Sequence, residues 1–142
     1  MVLLSLYAVT SFAQNNLANK PSLFSQYPDI IICTPAQLNS FFETEQGQNV
    51  RVSFNNNLTL AGNVKSKLSK YSNLQTVVIK LSAFNNILFS LSKRTDQHEI
   101  VTYVGHLFDN AYADGYDLKK ADNGNYQFTK ISMAKILPDC NQ

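Results

Sequence analysis

From Asn49 to Ile131 apolar and polar side chains alternate with a period of two, and that period leaves the chain few architectures. Val50, Val52 and Phe54 alternate with Arg51 and Ser53, Leu58 and Leu60 with Asn57 and Thr59, and Val77, Ile79 and Leu81 with Val78, Lys80 and Ser82. Successive side chains of an extended strand point to opposite faces, so each segment is a strand with one face in a core. The pattern continues through Ile87, Phe89 and Leu91 against Ser90 and Ser92, then through His98–Phe108, Tyr116–Lys120 and Tyr126–Ile131. Seven strands are expected.

The connections are short and rich in turn residues: Asn55–Asn57, Phe84–Asn86, Arg94–Gln97 and Asp122–Asn125. Short links force neighbouring strands antiparallel. Asn123-Gly124 predicts a two-residue turn with positive φ at both centres. Ahead of the strands, "TPAQLNSFFETE" predicts one helix: Thr34 caps the open amides, Pro35 suits the first helical position, and Gly47 stops the run. Leu38, Phe41 and Phe42 fall at i, i+3 and i+4 and form a stripe that must sit against a sheet. The expected fold is mainly β, an antiparallel meander of about seven strands curved into a partial barrel or folded into a two-layer sheet, with the helix packed on it. The region 62–74 is open to a strand or a helical turn.

At 142 residues the chain holds one domain's worth of sequence, and a composition that is 44% hydrophobic and 11% aromatic can bury a core. "MVLLSLYAVTSFA" reads as a signal peptide, with an apolar run from Val2 to Val9 and small residues at Ser11 and Ala13. The run is too short to span a bilayer, which takes about 20 apolar residues. The division expected is residues 1–13 as leader, 14–29 as an extended, loosely held arm, and 30–142 as one β-rich domain. Cys33 and Cys140 are a candidate disulfide; closing a loop of about 100 residues stabilises by up to ~4.7 kcal/mol in the chain-entropy model. Two unpaired thiols are the alternative. Their spacing matches no zinc pattern.

The stretch "GHLFDNAYADGYDL" gathers His106, Asp109, Asp114 and Asp117. It fails as an EF-hand loop, because Ala111 and Ala113 occupy ligand positions and no glutamate closes it. His98 and His106, on one expected strand with Ile100, Val104 and Phe108, would lie roughly 26 Å apart, too far to share an ion. No metal and no cofactor is expected. Asp114-Gly115 carries the signature of a turn, and the stretch reads first as a hairpin loop. As a recognition surface it would use Tyr112, Asp114, Tyr116 and His106, since tyrosine offers large contact area at low entropic cost.

The formal charge of +2 comes from twelve Lys and Arg against ten Asp and Glu, read as spread along the chain, which makes no electrostatic case for nucleic acid or a membrane surface. Lys65, Lys67 and Lys70 in "NVKSKLSKY" read as guards of an edge strand rather than as a phosphate track. Asn57-Leu58-Thr59 is a glycosylation sequon, meaningful in a eukaryotic source. No nucleophile elbow, H-E-x-x-H, P-loop or dinucleotide fingerprint occurs. No catalytic residue is singled out.

The order "LAGNVKSK", "TVVIKLSAFNNILFSLSK", "VTYVGHLFDNAYADGYDLKK" and "NGNYQFTKI", together with the "SFAQ" at the end of the leader, resembles that of small exported β-rich domains of unknown function from Gram-negative bacteria. The resemblance covers Leu58 to Ile131, implies export and a β-fold, and carries no catalytic residue. The expected function is a secreted or periplasmic, non-enzymatic binding or accessory module engaging a protein, a glycan or a small ligand. The alternatives are an assembly subunit whose arm adds to a neighbour's sheet edge and a small hydrolase whose acids converge only in three dimensions. Export is tested by expressing the full chain in a Gram-negative host: amino-terminal sequencing of the envelope or medium fraction is expected to begin at Gln14, and an uncleaved cytoplasmic chain would contradict it.

Overall fold

The computed structural model describes residues 19–55 and 58–136. The leader, the start of the arm, Asn57 of the sequon and Cys140 lie outside the described residues. Strand β1 (Ile30–Cys33) leads into helix α1 (Pro35–Glu43). Then come β2 (Asn49–Phe54), β3 (Leu58–Lys70), β4 (Leu74–Leu81), β5 (Leu88–Thr95), β6 (Val101–Leu107), β7 (Asp114–Lys120), β8 (Tyr126–Ser132) and the short α2 (Met133–Ile136). All pairings are antiparallel, and the sheet order is β1-β8-β7-β6-β5-β4-β3-β2. The sheet is a meander curled into a half-barrel, with the first strand returned to the side of the last.

The curl is set by what its concave face must bury. Val50, Val52 and Phe54 of β2, Val77, Ile79 and Leu81 of β4, and Phe89 and Leu91 of β5 all point inward and are buried, as their period requires. Helix α1 supplies the filling. Thr34 accepts from the Gln37 N–H at 3.2 Å while the Gln37 carboxamide oxygen accepts from the Thr34 N–H at 2.8 Å, a reciprocal cap worth about 1 kcal/mol. Leu38, Phe41 and Phe42 then project into the half-barrel, where Phe41 lies 5.4 Å from Phe89 and 6.4 Å from Phe54, ring centre to ring centre. Phe54 of β2 in turn meets Phe128 of β8 at 5.3 Å, across the mouth of the curl. The Asn55 amide donates to the Ile32 carbonyl at 3.1 Å and ties the two edges together.

The opposite end is closed by the arm, and here the expectation of a loosely held segment is corrected for residues 19–29. Phe24 is fully buried against Phe84 and Tyr116. The Leu23 and Phe24 N–H groups donate to the two carboxylate oxygens of Asp114 at 2.7 and 3.1 Å, and the Tyr116 hydroxyl donates to the Pro28 carbonyl at 2.5 Å. This part of the arm is therefore spent on its own domain, and Phe24 is not available to a neighbour's sheet.

Other expectations shift in detail. An eighth strand, β1, pairs with β8; its inward Ile31 and Cys33 alternate with outward Ile30 and Ile32, so an apolar residue on both faces hid its period. Strand β6 begins at Val101, and its inward residues are Tyr103, Gly105 and Leu107 rather than Val104. The phase is set by pairing Lys93 to Tyr103 and Leu91 to Gly105, and Val104 stands outside. His98 lies in the preceding turn, its N–H donating to Asp96 at 2.8 Å, and so shares no strand with His106. Asp114-Gly115 belongs to β7, not to a turn. The β7–β8 turn closes through Gly124 alone at positive φ (82°), with Gly124 N–H on the Ala121 carbonyl, a longer turn than the two-residue form. Finally, β3 is a long strand whose Leu58–Asn63 part lies between β2 and β4, whereas its Ser66–Lys70 end pairs with β4 alone, so Lys67 and Lys70 stand where the sheet has a free edge among the described residues, with Lys65 at its start.

At Gly62, β3 and β4 approach too closely for a side chain: a Cβ there would sit 2.0 Å from the Lys80 carbonyl oxygen. Gly62→Ala is expected to cost about 1–3 kcal/mol in urea unfolding, because backbone must move. Asp114→Ala, which strands two arm amides, is expected to cost about 2–4 kcal/mol; a cost within 0.5 kcal/mol (roughly a neutral surface change) would contradict the docked arm.

Candidate functional site

The four residues expected to form a recognition surface separate in the structure. Tyr116 is wholly buried, with its phenol pushed up to about 12 by burial and, next, by the Asp114 charge. Asp114 is buried and uses both oxygens on the arm. Tyr116 is therefore out of a partner's reach, and Asp114, although it borders the surface, has both oxygens engaged by the arm, so both hold the fold. Tyr112 is half-buried against the core, and its hydroxyl accepts from the Asn85 amide at 2.8 Å. A surface recess of about 490 Å³ does lie beside Asp114. Of its two cations, Lys130 donates to the Tyr27 carbonyl at 2.5 Å and pairs with Asp29 at 3.4 Å and so holds the arm, while the exposed Lys135 stands at the rim.

His106 alone of the four stands on the outer face. Its Nδ1 lies 2.8 Å from Asp117 Oδ1, and the imidazole side chain is 54% exposed. Register places Ser90, His106 and Asp117 side by side on β5, β6 and β7. These are the residue types of a hydrolytic triad without its hydrogen-bond chain: no hydrogen bond joins Ser90 to His106, and the neighbouring strand amides are committed to the sheet ladder. The Ser90 hydroxyl is not activated by this arrangement. Among the described residues no three His, Cys, Asp or Glu side chains converge as a metal site.

Another recess, which no sequence motif announced, lies on the outer face of β2–β4. It has a volume of about 540 Å³ and is lined by Asn49, Gly62, Asn63, Lys65, Lys80, Ser82 and Asn86. The strand register explains the grouping. Asn49 pairs with Asn63 and Asn63 with Lys80, so three strands deliver polar side chains to one row. A β-bulge between Val64 and Ser66 adds a residue to β3 at that point. Lys65 is left on the outer face, while Lys67 swings to the concave side and pairs with Glu45 at 3.0 Å. Asn86, at the end of the β4–β5 loop, holds a left-handed backbone (φ 63°) behind Asn85 (φ 50°), a conformation asparagine tolerates better than most residues.

The lining offers hydrogen-bond donors and acceptors with no carboxylate. The Asn63 amide donates to the Gly47 carbonyl at 2.7 Å and to Asn49 Oδ1 at 3.2 Å, which fixes both side chains. The Asn86 carboxamide and the Lys65 and Lys80 ammonium groups make no side-chain hydrogen bond or ion pair among the described residues. A sequence signal for this face exists in hindsight: residues 46–95 carry seven Lys and Arg (Arg51, Lys65, Lys67, Lys70, Lys80, Lys93, Arg94) and no Asp or Glu. The reading of charge as evenly spread is thereby corrected, since β2–β5 form a uniformly basic half of the sheet and six of the ten acids fall between Asp96 and Asp122.

Cys33 is a buried thiol whose candidate partner, Cys140, lies outside the described residues. Comparison with family models, with curated proteins and with solved structures found no match for this chain. No helix among the described residues is long and apolar enough to cross a membrane.

Burial pushes the Cys33 thiol up from 9.0 to about 12, so the folded state keeps a proton that the unfolded chain releases. In the reduced protein, stability is therefore expected to be unaffected by this group below pH 9 and to fall as pH rises from 9 toward 12. In a Cys140→Ser variant, Cys33 is expected to react with a thiol reagent only after unfolding; rapid reaction of the native protein would contradict the burial.

Proposed function

We propose that this protein is an exported, non-enzymatic binding module that takes a polar small ligand or glycan in the recess between Asn49, Lys65, Lys80 and Asn86. The observation that carries the reading is the composition of that lining: carboxamides, a hydroxyl and two ammonium groups on a rigid sheet, a set suited to hydroxyl-rich ligands. The concave face supports it indirectly, because α1 and the arm fill it with aromatic side chains and leave the ligand the outside. Export rests on the apolar leader and on the resemblance to small exported β-rich domains, not on the fold.

A panel of soluble oligosaccharides, read by thermal shift on the processed protein, tests the reading. A ligand at about 100 times its Kd is expected to add ~2.7 kcal/mol of stability. Asn86→Gly, which keeps the backbone conformation and removes the amide, is expected to diminish the shift without changing the circular dichroism. A shift indifferent to Asn86→Gly and to Asn49→Ser would place the ligand elsewhere.

A further inference from the structure

The recess sits in the half of the sheet that holds no acid, since all of its lining comes from the carboxylate-free run 46–95. Lys65 and Lys80 face one cavity, and no carboxylate on β2–β5 offsets them. Arg51 is exposed on the outer face of β2, two residues along from the Asn49–Asn63 pair. Farther along, Arg94 lines a second recess of about 340 Å³ with Leu74, Ser92, Thr102, Val104 and one carboxylate, Asp96, whose Oδ1 accepts from the His98 and Ile100 N–H groups. Leu74 is opposite both Arg94 and the exposed Lys70. From Lys80 to Leu74 the strand runs ~20 Å at its usual rise, so two cationic groups, Lys65 with Lys80 and Lys70 with Arg94, stand several sugar lengths apart on one face, with Ser66, Thr76, Ser90 and Ser92 between them. An extended anionic ligand can meet both groups at once, and at low salt each contact adds to its attraction.

We propose that this face binds an acidic polysaccharide, a sugar polymer bearing carboxylate or sulfate groups, with Lys65 and Lys80 pairing its charges and Asn49 and Asn86 reading its hydroxyls. The inference rests on the recess reading above. The carboxamides and Ser82 separate such a ligand from a bare polyanion. The lining holds no aromatic ring on which a nucleobase would stack, which separates it from single-stranded nucleic acid.

The test measures binding of the processed full chain at low salt to polygalacturonate, dextran sulfate, neutral dextran and oligothymidylate. The double variant Lys65→Ala/Lys80→Ala is set against Lys119→Ala/Lys120→Ala, which removes the same charge from β7. Binding of polygalacturonate or dextran sulfate is expected, and which of them binds identifies the acidic group. The Lys65/Lys80 variant is expected to weaken it at least about tenfold, and the β7 variant is expected to leave it nearly unchanged. Equal loss in both variants, or oligothymidylate bound as tightly as the better polysaccharide, would overturn the proposal in favour of unspecific charge attraction. Neutral dextran bound through Asn86 and indifferent to Lys65 and Lys80 would retain the recess and overturn the acidic class. Failure of every polysaccharide to bind would overturn both.

Discussion

An antiparallel sheet that curls must fill the hollow it creates, and in this protein that requirement organises nearly everything else. The hollow is filled by aromatic rings carried in from outside the meander. Phe41 of α1 reaches Phe54 and Phe89, and Phe54 reaches Phe128 on the far side of the curl. Fully buried aromatic side chains contribute about 1.5–3 kcal/mol each by burial alone, with more from edge-to-face geometry. The helix is held there by sequence economy: only Thr34 separates it from β1, and the same residue caps it.

Because the inside is committed to packing, chemistry is pushed to the convex face, where the strand period delivers every second side chain. Three kinds of local irregularity then shape that face. Gly62 lets β3 approach the Lys80 backbone, the bulge after Val64 separates Lys65 from Lys67, and two left-handed asparagines turn the β4–β5 loop toward the recess. Each is a departure from ideal strand geometry, and all three lie beside the same recess. Such departures are tolerated where the surrounding sheet over-determines the backbone, as the long β3–β4 ladder does here.

Much of this fold was legible in the sequence. The period of two in β2, β4 and β5 gave both the strands and their buried faces, and Thr34-Pro35 with Leu38, Phe41 and Phe42 located the helix and its inner stripe. What escaped notice has physical causes. Strand β1 puts isoleucine on both faces, and β6 exposes Val104 while burying Tyr103, so hydrophobicity alone misassigned the phase. Asp114 and Tyr116 looked like surface chemistry because their partners, the Leu23 and Phe24 amides and the Pro28 carbonyl, lie some ninety positions away in sequence. The recess was hidden for the same reason, since its residues come from three strands and a loop that only the register aligns. Its one linear trace, the carboxylate-free run from 46 to 95, is a property of a segment rather than of a motif.

The contact between Phe54 and Phe128 joins strands that lie near opposite edges of the sheet, and it exists only if the sheet curls until they meet. A double-mutant cycle on Phe54→Leu and Phe128→Leu, read by chemical denaturation, measures that contact most directly. A curled sheet closed by aromatic packing predicts a coupling energy of about 0.5–1.5 kcal/mol between the two sites. Strict additivity would mean that the rings do not touch, and a half-barrel closed in this way would be wrong.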